Sequence, residues 1–147
     1  MIYTTIYVLK FGIIMFNDVC DMIFRLYLYA DMTKMIHYST DSQHCHTLCD
    51  DVRDKILEFT DELAEQYFGY HGKPSFSDFS LQHDVKSTSD IGELCKTVSE
   101  MTDNLRKKCE NDSKLQNIVS LIDDFKGDMM KLMFIATFDK VSNYKGE

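Results

Sequence analysis

Proline occurs once in this chain, at Pro74, and glycine only six times, so collagen-like, proline-rich and Gly/Ser-linker readings are excluded. With so little to interrupt it, the backbone is free to form long helices, and an all-helical fold is the first expectation. Basic residues are also in short supply, 16 Lys and Arg against 24 Asp and Glu, for a net charge of −8. That sign disfavours passive binding to nucleic acid or to an anionic membrane surface and suits cationic partners. No apolar run reaches the ~20 residues that a bilayer span requires, because the longest, MIYTTIYVLKFGIIMF at 1–16, is broken by Lys10. The same stretch lacks a positively charged start and a small-x-small cleavage site, so no signal peptide is expected. The five cysteines (Cys20, Cys45, Cys49, Cys95, Cys109) are odd in number and too sparse for a disulfide scaffold, and they read as reduced thiols of a cytoplasmic protein.

What is present, 44% apolar and 27% charged residues in a chain of 147, fits one helical domain at about 17–140, preceded by an apolar arm at 1–16 and followed by a short tail at 141–147. In the arm, Ile2, Thr4, Ile6 and Val8 alternate with Tyr3, Thr5 and Tyr7, a strand-like pattern, and Met15 could serve as a second start codon. From Asn17 or Asp18, either of which could cap a helix, apolar residues recur at Val19, Ile23, Leu26, Ala30 and Met35, which predicts a first helix to about His37. A second stripe, Leu48, Val52, Ile56, Phe59, Leu63 and Tyr67, predicts a helix from about His44 to Phe68 with Gly69 as its stop. The segment GYHGKPSFSDFSLQHDVKSTSD holds the only proline and reads as a long crossover with a short helix near Phe76–Leu81. Asp90 or Ser89 then caps a third helix carrying Ile91, Leu94, Val98, Met101 and Leu105. After a break at Glu110–Ser113, a fourth carries Leu115, Ile118, Ile122, Phe125, Met129 and Leu132. Two helices, a long crossover that lets helices two and three run parallel, and two more helices make the layout of a ferritin-like four-helix bundle.

At ~100° per residue, His46, Asp50, Asp54, Asp61 and Glu65 share an arc of roughly 100° on the second helix, opposite its apolar stripe. Carboxylates and imidazoles therefore face away from the bundle core, and the chain contains no Glu-x-x-His motif of the kind that builds a ferritin site inside the bundle. A solvated outer face would account for the charges alone. Leu57 and Ala64 lie in the same arc, however, and suggest that a partner subunit covers it.

From the first helix to about residue 138 the chain resembles the Dps proteins, small ferritin relatives that assemble into hollow cages. Their second helix carries a His, an Asp four residues on, a second Asp eleven further and a Glu four beyond that, and here His46, Asp50, Asp61 and Glu65 stand at those spacings. The run Asp61-Glu62-Leu63-Ala64-Glu65 is similar to the family's acidic segment, and His37 in KMIHYST matches the family's further His at the end of the first helix. Tyr38 stands where that family usually has Trp, and the turn from His37 to His46 is shorter than usual. The family's basic N-terminal tail is replaced by the apolar arm, so DNA binding is not expected. The resemblance implies a homo-oligomer, a dimer at minimum and by expectation a cage, with a di-iron site formed across a two-fold interface. His37, His46 and Asp50 of one subunit would meet Asp61 and Glu65 of its mate. Such a donor set suits ferrous iron and would accept zinc or manganese, and the implied activity is that of a ferroxidase storing ferric mineral.

Other signals have simpler readings. His44-Cys45-His46 with Cys49 hints at zinc, but no second ligand pair stands at a structural-zinc spacing, and Cys45 and Cys49 fall on the apolar side as small hydrophobes. His71 and His83 are expected at the surface, and Met129, Met130 and Met133 in packing. Tyr67 and Tyr70 could donate electrons near an iron site, though aromatic packing explains them as well. The alternative to iron chemistry is a helical structural or interaction module that keeps the bundle without a competent metal site.

Overall fold

Apolar residues returning every three to four positions pack only as helices, and the chain follows that rule. The computed structural model describes residues 2–138 as α1 (Ile2–Ser39), α2 (Gln43–His71), a 3-10 turn (Phe76–Asp78), α3 (Ile91–Met101), α4 (Asp103–Cys109) and α5 (Gln116–Ala136), with no strand among those residues. The 141–147 tail and the last two residues of the expected bundle lie outside this range. Around the bundle, α1 packs along α2, α2 against α5, α5 against α3 and α4, and α3 returns to α1. No helix among the described residues is long and apolar enough to cross a membrane.

The stripe read on α2 is the stripe that is buried: Leu48, Val52, Ile56, Phe59, Leu63 and Tyr67 all face inward. They meet Ile118, Ile122, Phe125, Met129 and Leu132 of α5, also buried, and the Phe59 and Phe125 rings stack with centroids 4.0 Å apart. Burying each such side chain contributes roughly 1.5–3 kcal/mol, far more than helix propensity does, so the inward face decides the fold. The buried threonines are satisfied locally: the hydroxyls of Thr33, Thr60 and Thr102 donate to the carbonyls of Ala30, Ile56 and Ser99. All five cysteines are free and buried, and burial pushes the Cys49 and Cys95 thiols up to about 12 and those of Cys20 and Cys109 up to about 11.

Several expectations are corrected. Residues 2–16 are helical and continuous with α1, not strand-like. A strand needs a neighbour to take its hydrogen bonds, and extending an existing helix costs no new nucleation. Asn17 and Asp18 are consequently mid-helix rather than caps. On α1, Met35 is 58% exposed while Ile36 is buried, one position from the expected register. α2 passes through Gly69 and stops at Gly72, whose φ of 112° and ψ of 161° end it. The short helix expected at Phe76–Leu81 is only a 3-10 turn. The third helix divides at Thr102 into α3 and α4, with the Thr102 N–H donating to Ser99 in a tight turn. Asp90 caps α3 as expected, its carboxylate accepting from the Glu93 N–H at 3.1 Å. α5 has no capping side chain of its own, but the Gln116 amide donates to the carbonyls of Cys109, Glu110 and Asp112 and closes the end of α4.

The 72–90 connection is pinned to α1. The Lys86 N–H donates to the Tyr29 hydroxyl at 3.0 Å. The His83 side chain, only 7% exposed, lies 3.5 Å from Asp21 and 3.5 Å from Arg25 Nε, so it is not the surface residue expected. His71, in the last turn of α2, stacks on Phe16 at 4.2 Å.

Gly72 and Gly69 make opposite tests. A Cβ at either position meets nothing within 4 Å, so only the backbone differs. Gly72 occupies a conformation almost confined to glycine, and Gly72→Ala should destabilise the protein by about 1–3 kcal/mol. Gly69→Ala, inside a regular helix, should stabilise it by up to ~1 kcal/mol. Urea denaturation of both variants checks the pair, and equal effects would contradict the assigned end of α2.

Candidate metal centre

α1 and α2 are joined by only three residues, Thr40 to Ser42, and Ser42 starts α2 by accepting from the Cys45 N–H at 3.1 Å. So tight a reversal sets the last turn of α1 against the first turn of α2. His37 and His46 meet there with rings stacked at 3.6 Å. Each imidazole is tied to the other residue's backbone: His37 Nδ1 lies 2.8 Å from the His46 carbonyl, and His46 Nδ1 lies 2.9 Å from the His37 carbonyl. A carbonyl can only accept, so both Nδ1 atoms carry the proton. In the neutral rings each Nε2 then keeps its lone pair. A backbone acceptor behind a histidine is the usual support of a metal-ligating imidazole, because it fixes the tautomer and the ring orientation.

Asp50, one turn past His46, joins the pair. Its Oδ1 is 3.6 Å from His37 Nδ1 and accepts from Lys34 Nζ at 2.6 Å. The Lys34 hydrogen bond, aided by the charges of His37, Lys34 and His46, holds the Asp50 carboxyl below the usual carboxylate range. Lys34 was not read from the sequence as part of this site. Its signal was there, since it precedes His37 by one helical turn and so shares its face.

Asp61 and Glu65 are exposed on the same side of α2. They stand eleven and fifteen residues beyond Asp50, roughly 16 and 22 Å along the helix axis. One chain therefore brings His37, His46 and Asp50 together and leaves Asp61 and Glu65 apart. Among the described residues no group of three or more His, Cys, Asp or Glu is arranged to hold a metal ion. Asp61 has Tyr27 of α1 for a neighbour, and burial together with the Asp61 charge raises that phenol above its ordinary value. Asp54, in the same arc, also borders a groove against α5 with Asp51 and Lys55. Leu57 and Ala64 are half-buried at the edge of the core. Arg53, also half-buried, has its enclosed Nε without a hydrogen-bond partner. The remaining candidates are placed elsewhere: His44 Nε2 bonds the Ile135 carbonyl at 2.8 Å, and Tyr67 is buried in the core.

The Asp50 contact gives a test with a definite sign. Its carboxyl is depressed, so the Lys34–Asp50 attraction is present above the unfolded carboxylate pKa and is lost as pH falls through the depressed folded value. Lys34→Met should move the Asp50 carboxyl upward in an NMR-monitored titration. An unchanged Asp50 would mean that Lys34 does not engage it in solution.

No family model, no curated protein and no solved structure matches this chain.

Proposed function

We propose that this chain is a Dps-like mini-ferritin subunit that binds ferrous iron between two copies of itself, oxidises it and stores the product in a cage. The observation that carries the reading is the reciprocal bonding of His37 and His46, which leaves the Nε2 of each neutral ring unprotonated, with the Asp50 carboxylate 3.6 Å from His37 Nδ1. Two imidazoles and a carboxylate form half of a donor set for an intermediate cation such as Fe²⁺, and zinc or manganese would also fit. Asp61 and Glu65, an i, i+4 pair of carboxylates, supply the other half when a second copy faces the first. Their oxygens offset the charge of two ferrous ions, and that offset grows in value as each ion goes to Fe³⁺. With peroxide as oxidant, one molecule takes an electron from each of two ferrous ions.

The face that would be covered is built for a partner. Leu57 and Ala64, half-buried apolar side chains, lie among the site residues, and a second copy would cover what they leave exposed. A ferritin-type crossover is supported by the pinning of the 72–90 connection along α1 and by the start of α3 lying beside the start of α2. Free, buried cysteines suit a reducing compartment such as the cytoplasm. The net charge of −8 argues against nucleic acid as a partner.

Lys34 supports a second reading, a bundle that serves as a structural or interaction module. Its ammonium already neutralises Asp50, the task a metal ion would perform, so iron must displace it. Two measurements separate the readings. Sedimentation should show a dimer or larger closed assembly, whereas a stable monomer at micromolar concentration removes the inter-subunit site. Wild-type protein should oxidise Fe²⁺ well above the buffer rate, and Asp61→Ala/Glu65→Ala should abolish the excess with helix content unchanged, since both side chains point away from the core. Wild-type oxidation no faster than buffer leaves the module reading standing.

A further inference from the structure

Cys45 and Cys49 stand one turn apart on the inward side of α2, with Sγ atoms 4.0 Å from each other. Both are buried, and the iron reading uses neither. The pair is reached through Cys45, which lines a cavity of about 360 Å³ where α2 and α3 begin and α5 ends, together with Thr40, Asp90, Gly92 and Met133.

We propose that Cys45 and Cys49 form a binding site for a soft monovalent cation of the copper(I) class. Two metal–thiolate bonds of about 2.3 Å enclosing roughly 120° span about 4.0 Å, so the sulfurs already stand at the edge of a trigonal site. Cys45 and Met133 line the same cavity, so a thioether stands on the wall that Cys45 shares. Thiolate and thioether ligands select copper(I) over harder ions. Structural zinc is disfavoured by coordination number: it requires a closed set of four ligands, and no group of even three His, Cys, Asp or Glu gathers among the described residues. Binding is an exchange without electron transfer. One Cu⁺ forms two Cu–S bonds, and the two thiols release two protons to solvent. The product carries one negative charge, and Cys45 lies in the first turn of α2, where the helix dipole favours it.

The test uses the full reduced chain under anaerobic conditions. Copper(I), supplied as its acetonitrile complex, competes between the protein and a chromophoric copper(I) chelator. Wild-type protein should withdraw one equivalent per chain and develop thiolate-to-copper ultraviolet absorption. Cys45→Ser/Cys49→Ser should withdraw none, while Cys20→Ser/Cys109→Ser, altered on other helices, should keep the equivalent. If the Cys45/Cys49 double variant fails to fold, Cys45→Ala alone decides, since that side chain borders the cavity. Wild-type protein that leaves all the copper on the chelator overturns the proposal, and so does a folded Cys45 variant that binds as wild type does. Asp61→Ala/Glu65→Ala should bind copper(I) normally, which keeps this result distinct from the fate of the iron reading.

Discussion

The crossed hydrogen bonds of His37 and His46 are the constraint on which the candidate site depends. Each ring is held by the backbone of the opposite helix, so neither imidazole can turn without breaking a bond at the three-residue turn. The same bonds fix the α1–α2 junction and, with it, the direction in which α2 leaves. A loop long enough to relax would let the rings rotate and lose their shared tautomer. The brevity of this turn helps the site rather than disturbing it, because it presses the two residues into contact.

From that junction the division of labour on α2 follows. One side is closed by the apolar stripe against α5, so the carboxylates have only the outward side to occupy. A site made from them can be completed only from outside the bundle. Lys34 fits this account as an internal cation that balances Asp50 in the single chain. The buried thiols occupy the other side of the same helix. One element thus presents oxygen and imidazole donors outward and sulfur inward, a segregation by hardness as well as by polarity.

The periodic parts of the fold were legible in the sequence. Leu48 through Tyr67 and Ile118 through Leu132 repeat at a helical spacing long enough that no other structure buries them together, and the expected inward residues of α2 and α5 are the buried ones. Helix ends were harder, because they rest on backbone geometry that residue type constrains only loosely. Gly69 and Gly72 are both glycines, and only a positive φ distinguishes the stop from the residue passed through. The N-terminal arm misled because alternation of β-branched and aromatic residues signals a strand only where a partner strand exists. His83 read as a loop residue since nothing local reveals that Asp21 and Arg25 await it 58 or more positions away. For the site, the spacing of His46, Asp50, Asp61 and Glu65 showed which residues share a face. Contact between His37 and His46, and the place of Lys34, depended on how the turn folds.

α1 has a consequence of its own. Among its described side chains, Ile2, Tyr3, Ile6 and Ile13 are exposed, whereas Met15, Val19, Ile23 and Leu26 are buried. Helical turns that bury few apolar contacts open at a free energy below that of the whole domain. Amide hydrogens along this single uninterrupted element should exchange with solvent on very different timescales. Secondary structure is continuous through residue 15, while the exposure of the described side chains changes along it.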